Sequence, residues 1–457
     1  MKLEVTQKSK DCAGALLTKD IQRLIDVAAA GDVIVFPKGK YVLSTIYLKS
    51  GLTLKFEEGC RIFGSENFED YDPDEKVDYP LYQDASHSFF HCSMFVGENL
   101  KDVSIIGGGV IDMRSVWDEK NVRNMAHRGA KCIALKNCQN VVLKDFSVKN
   151  CTDLAVYLAG CENVEIVGLK IKTYIDGISP DNCKDVLISG CEVESGDDGI
   201  VFKSSYTLNK LAFCQRIKVY NCTVRSRCNA IKFGTETNGG FNNISIFDTK
   251  ISDTRLAGIA VESVDGAIIQ NLLFKNITMI NVGTPVFIHL GKRMRGPGGA
   301  TTGKISDIIF ENITAKGEYK EYEIMPWNYF SYKNNDLIQY PWVMGKLDNF
   351  IGDKKKNEAW QITSNCCGLN GNDLERLTFK NVLLELWGGA TSVNNVVPEE
   401  AQDYPEIYVY GADLPAKGIY FRHINGLKIE NCKILTLNAD VREDFVFEDV
   451  KNLDFKK

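Results

Sequence analysis

Eight segments of this 457-residue chain repeat one short pattern, and that pattern leaves few folds open. The first three read CQNVVLKDFSVKNC (138–151), CENVEIVGLKIKTY (161–174) and CKDVLISGCEVESG (183–196). Similar stretches begin at 214, 241, 305, 374 and 424. Each has a polar start, an alternating apolar run, a polar or small pair, and a second alternating run. Alternation with period two is the signature of a strand with one buried face. The starts at Cys138, Cys161 and Cys183 lie 23 and 22 residues apart, and later intervals widen to roughly 25–35 residues, as insertions in one loop of a coil produce. A propeller blade needs about 40 residues and hairpin-linked strands, and few hairpin turns occur here. The repeat therefore predicts an all-β chain wound as a single-stranded, right-handed parallel β-helix. Equivalent residues then stack in columns about 4.8 Å apart.

One column is asparagine: Asn150, Asn221, Asn276, Asn312, Asn381 and Asn431 recur at the same turn. Asparagine suits such turns, and the expectation is an internal amide ladder. Residues 19–30, KDIQRLIDVAAA, have the spacing of an amphipathic helix, the cap that the open end of a solenoid requires. The domain reading is one β-helix over 1–457, with an N-terminal cap at about 1–45 and an insertion at about 316–362. That insertion breaks the repeat and holds Trp327, Trp342 and Trp360. A segment this long commonly walls or covers a site.

Composition narrows the partners. There are 54 basic and 60 acidic residues, a formal net charge of −6, and no basic block; this argues against nucleic acid. No apolar run is long enough to cross a membrane. The first twenty residues lack the apolar core of a secretory signal, so the expected location is cytoplasmic. The fifteen cysteines are odd in number, sit in repeated contexts and form no CxxC pair. They read as reduced, buried thiols, not as a disulfide framework or a metal site. No cofactor is implied.

The chemistry gathers around SGDDGIVFKS. Asp197 and Asp198 are adjacent, and a lone pair of this kind is usually a solvated turn. Asp176, in TYIDGISPD, lies 21 and 22 residues earlier, one coil in this region. Stacking would crowd three carboxylates on one wall, where repulsion raises at least one pKa. Such crowding lets carboxyl groups divide acid and base roles. Gly177, Gly196 and Gly199 give the backbone freedom to bend there.

At this point the chain resembles glycoside hydrolase family 28, the polygalacturonase family. The resemblance runs through GDVIVFPKGKYVLSTIYLKSGLTLKFEEGCRIFGS (31–65), SIIGGGVIDM (104–113) and, most closely, DGISPDNCKDVLISGCEVESGDDGIVFKS (176–204). It implies the pectin lyase-like solenoid and an inverting hydrolase. Asp197 would be the general acid, with Asp176 and Asp198 holding and activating the water. Three family motifs are altered. Asn-Thr-Asp reads Tyr174-Ile175-Asp176, Gly-His-Gly reads Cys228-Asn229-Ala230, and Arg-Ile-Lys reads Ala260-Val261-Glu262. The family's Arg and Lys grip a sugar carboxylate; here both are gone and Glu262 has arrived.

Candidate substrate-binding residues are therefore Lys232 and Glu236 in AIKFGTE, Asn229, Glu262, Lys203, Arg255, and Arg293 and Arg295 in HLGKRMRGPGG. Glu262 would bond sugar hydroxyls or pair with Lys232. His87, His91, His127, Arg128, His289, Arg422 and His423 are further polar candidates, although a lone histidine is more often structural. The resulting expectation is an exo-acting inverting glycosidase on pectic, plant-derived oligosaccharides, with altered sugar specificity. Two rivals remain open: a β-helix polysaccharide lyase whose carboxylates hold calcium, and a non-catalytic carbohydrate-binding solenoid. Oligomeric state is not legible in the sequence.

Overall fold

The computed structural model describes residues 2–5, 16–118, 128–317, 362–400, 405–411 and 413–456. Almost all of the predicted insertion at 316–362, with its three tryptophans, and His127 lie outside the described residues. The fold is a right-handed parallel β-helix. Its residues fall into two compact units, Met1–Ser195 with Ile200–Cys222, and Gly196–Gly199 with Thr223–Lys457.

In the first unit each repeat contributes three short strands, and equivalent residues pair in parallel from coil to coil. Ile133 pairs with Val156, Val156 with Ile178, and Ile178 with Ile200. On a second face Val141, Val164, Val186 and Ile217 follow the same rule, and on a third Val148, Ile171 and Val193 do. All of these residues are buried. The alternation in sequence thus becomes continuous columns of β-branched side chains, which suit a pleated, packed surface. The recurrent cysteines form a column of their own. Cys161, Cys183 and Cys214 are fully buried, and each thiol faces a carbonyl oxygen of an earlier coil, those of Leu135, Leu158 and Pro180. Among the described residues fourteen cysteines are free thiols.

The helix spans Thr18–Val27 and buries Ile21 and Ile25, one turn apart. It ends three residues earlier than its sequence pattern predicts. Asp32 accepts a hydrogen bond from the Ala29 backbone N–H at 2.8 Å, and Ala28 is already extended. A short acidic side chain thus offers the backbone an alternative to another helical turn.

The second unit repeats the plan with longer strands. One of its core columns runs Ile244, Leu272, Ile308, Leu377 and Leu427 on one face. Phe274, Phe310 and Phe379 stack with ring centroids 4.9 and 4.8 Å apart.

The asparagine ladder is external, not internal. Asn276, Asn312, Asn381 and Asn431 are exposed, and each side-chain amide bonds to the preceding rung: Asp248, Asn276, Asn312 and Asn381 respectively, at 2.8–2.9 Å. All four have φ between 50° and 57°. Asparagine is chosen here because it tolerates the left-handed corner, and the residues facing inward nearby are apolar ones such as Phe274 and Ile277.

Candidate active site

In the second unit the two aspartates are held by the next coil. Asp198 is 4% exposed and Asp197 half-buried. Asn229 grips Asp198 twice, donating from its backbone N at 3.1 Å and from Nδ2 at 2.9 Å to Oδ1. Its Oδ1 accepts from the Ala257 N–H at 3.0 Å, and its backbone carbonyl accepts from Gly199 N at 2.8 Å. A carboxamide can donate and accept at once, which makes Asn229 a brace between coils. Gly199 is required for close approach and not for bending: a Cβ there would lie 2.4 Å from Val224 and 2.7 Å from the Ala230 carbonyl oxygen. Ser226 Oγ donates to the carbonyl of Asp197 at 2.5 Å, tying down the first aspartate's backbone.

Lys232 is the charge at the centre of this site. It is 3% exposed and stands between three buried carboxylates. Its ammonium donates to Glu406 in a short contact and lies 3.7 Å from both Asp198 and Glu262. Asn229 Nδ2 also reaches Glu406, at 3.3 Å. One ammonium cannot neutralise three carboxylates in a dry setting. The consequence falls on Glu262, which is fully buried and has no hydrogen bond to either oxygen. Burial pushes its carboxyl well above the usual range; Glu406 and Asp198 add to that push, while Lys232 and Arg293 oppose it. Glu262 is therefore the member that keeps its proton as pH rises. The glycine at 234 leaves it room, since a Cβ there would sit 3.3 Å from Glu262 Cβ and Oε2.

Glu406 has no place in the repeat. It arrives on residues 405–411, whose Ile407, Tyr408, Val409 and Tyr410 pack over Ala260, Phe287, Cys367 and Tyr420 in one buried apolar cluster. Lys232 pairs in register with Ala260, and Ala260 with Phe287. The position where the family pattern carries its clamp arginine is thus roofed by tyrosine. Sequence reasoning missed Glu406; the only signal is a single acidic residue inside the aromatic run PEIYVY.

The other candidate cations are engaged differently. Arg293 is a brace: it forks onto buried Asp265 at 3.0 and 2.5 Å and donates to the Thr235 carbonyl at 2.7 Å. Arg295 is 38% exposed and lies 3.6 Å from buried Glu236. Arg255 is half-buried on the strand Gly240–Ser263. His289 is fully buried between Tyr410 and Glu400. Arg422 donates to the carbonyls of Val397 and Pro398, and His423 bridges Asp449 and Glu399, at 2.8 Å each.

Among the described residues two clusters have the residue types of a metal site, Asp197–Asp198–Cys228 and Asp373–His423–Asp449. Neither offers a good donor set. Burial, reinforced by Asp197 and Asp198, holds the Cys228 thiol well above its usual range, whereas a metal needs the thiolate. Both ring nitrogens of His423 lie 2.8 Å from carboxylate oxygens, those of Asp449 and Glu399, so the ring is already engaged on both edges.

Asp176 and Lys203 belong to the first unit. Asp176 is 4% exposed and lies 3.8 Å from His87 Nε2. Burial acts to raise its pKa, but His87, Lys203 and Arg128 together outweigh burial and hold the carboxyl below the usual range. Lys203, itself 5% exposed, pairs in register with Asp181.

Comparison with known proteins agrees with this architecture. The model of glycosyl hydrolases family 28 matches residues 28–326. An exo-poly-alpha-D-galacturonosidase of Dickeya chrysanthemi is 22% identical over 340 residues, covering 63% of this chain and 56% of that protein. This chain therefore spans little more than half of that relative's length. Among solved structures, an exopolygalacturonase from Thermotoga maritima aligns with a TM-score of 0.65 at 17% identity, covering 84% of this chain and 87% of that one. A family 28 exopolygalacturonase from Yersinia enterocolitica gives 0.66 at 18%, covering 98% and 78%. The chain belongs to family 28 of the glycosyl hydrolases. Glu406 lies beyond the family-matched residues.

Proposed function

We propose that this chain is an inverting glycosidase, exo-acting on pectic oligosaccharides, that takes a neutral sugar beside its aspartates instead of an unmodified galacturonate. Family membership supports glycoside hydrolysis, and the name of the Dickeya relative supports exo action on a pectic chain. In this reading Asp197 gives its proton to the glycosidic oxygen as the C–O bond breaks. A water attacks the opposite face of the sugar and passes its proton to the Asp176 and Asp198 carboxylates.

The observation that carries the change of sugar is the contact of Lys232 with Glu406. With Glu262 protonated, the Asp198 and Glu406 carboxylates already outnumber the ammonium. An incoming uronate meets no net positive charge. One uncompensated like charge at about 4 Å costs about 1 kcal/mol in water and about 4 kcal/mol at an effective dielectric near 20. The repulsion therefore comes from Glu406 and Asp198, not from the protonated Glu262. A cytoplasmic setting is part of the proposal, motivated by cysteines that sit in repeated sequence contexts and, among the described residues, pack mostly as buried side chains.

The test is product analysis by proton NMR on a panel of pectic oligosaccharides ending in rhamnose, galactose or galacturonate. The expected result is release of a terminal sugar with inverted anomeric configuration, reduced about 10²-fold or more in Asp197→Asn with the fold intact. Retained configuration, or an unsaturated ultraviolet-absorbing product, would contradict it.

A further inference from the structure

The segment around His87 is built with unusual care for a loop. Ser86 Oγ donates to fully buried Asp153 at 3.0 Å. The His87 carbonyl accepts from Tyr157 Oη at 2.7 Å and from Thr207 Oγ1 in a short contact. Ser88 Oγ accepts from Gln83 at 3.1 Å. The imidazole itself stands edge-on to the Tyr157 ring, 5.6 Å between centroids. The loop and the Tyr157 ring beside it are thus fixed, yet both ring nitrogens are buried and make no hydrogen bond, in a residue only 5% exposed. Leaving buried polar atoms unsatisfied is costly, and native folds that do so usually have a functional reason.

The direction of the ring supplies that reason. Nε2 points to Asp176 Oδ2 at 3.8 Å, just beyond hydrogen-bond length. We propose that His87 is a positioning residue for Asp176, an imidazole anchored by its own loop so that a small inward shift on substrate binding lets Nε2–H donate to that carboxylate and fix the oxygen that receives the proton of water. This rests on the reading of Asp176 as part of the water-activating machinery. Asp176 and Asp181 face the ring, and Lys203 and Arg128 face Asp176. The pair therefore sits in a balanced set of charges, in which a hydrogen bond matters more than an added charge. Nothing in the family motifs assigns a role to this residue, because the imidazole comes from the three-residue turn Ala85–His87 and not from a repeat strand.

The chain has only five histidines, so the imidazole nitrogens can be followed individually by NMR, with His87→Gln assigning the signal. The His87 Nε2 resonance should move clearly between the wild type and Asp176→Asn, as loss of the facing carboxylate requires. An unchanged Nε2 resonance overturns the proposal whether or not any sugar is cleaved. On whichever oligosaccharide the wild type hydrolyses, His87→Ala should lose about 10²-fold in kcat at unchanged KM with the fold intact. His87→Gln, which keeps a donor, should stay within about fivefold. Full turnover in His87→Ala, or equal losses in both variants, also overturns it. If the wild type cleaves nothing on the panel, the glycosidase reading fails while the Nε2 resonance still decides the His87–Asp176 pair.

Discussion

Lys232, Glu406, Glu262 and Asp198 form a charge set whose behaviour can be predicted residue by residue. Glu262 has a raised carboxyl in the folded protein, with burial as the main cause. Below its ordinary value of 4.5 both folded and unfolded chains hold the proton, and the group contributes no pH dependence. Above that value the unfolded chain loses its proton first, so folded-state stability falls as pH rises, until the native carboxyl itself ionises. The slope for one proton is at most about 1.4 kcal/mol per pH unit. Glu262→Gln removes this loss. Urea melts at pH 5 and pH 8 should show the variant gaining on the wild type as pH rises. A constant difference across that range would mean that Glu262 is ionised in the fold. The sequence offered the pairing of Glu262 with Lys232 beside bonds to sugar hydroxyls, and the structure sets the two groups 3.7 Å apart. The protonation was not legible in the sequence, because it depends on Glu406.

Among elements, the strands were the most legible because stacking turns a three-dimensional column into a repeat along the chain. Cys138, Cys161 and Cys183 mark successive coils in the sequence and in the structure alike. What alternation does not reveal is which side of a corner residue faces out, and the asparagine ladder was misplaced for that reason. The corner itself gives a sharp prediction. Asn312 holds φ at 57° and bonds to Asn276 and from Asn381. Asn312→Ala should cost about 1–2 kcal/mol, since an ordinary side chain resists the left-handed region. Asn312→Gly should cost less, although it too loses both amide bonds. If alanine and glycine prove equal in chemical denaturation, the ladder's hydrogen bonds and not its backbone geometry stabilise the corner.

At the scale of the whole molecule, family, fold and the carboxylate motif were all readable because they lie in repeats. The site's character was not, since it is set by a segment outside them. Residues 405–411 lay a tyrosine-rich cover over Ala260 and deliver Glu406 to Lys232. The central claim, that this internal carboxylate takes the place of a sugar's, is tested most directly by one comparison. Initial hydrolysis rates on matched neutral and uronic oligosaccharides should be measured for the wild type and for Glu406→Ala. The wild type should favour the neutral series, and Glu406→Ala, which vacates the ammonium, should raise the uronic-to-neutral ratio about tenfold or more, the equivalent of about 1.4 kcal/mol. Polygalacturonic fragments as the best wild-type substrates, with the ratio unchanged in Glu406→Ala, would contradict it.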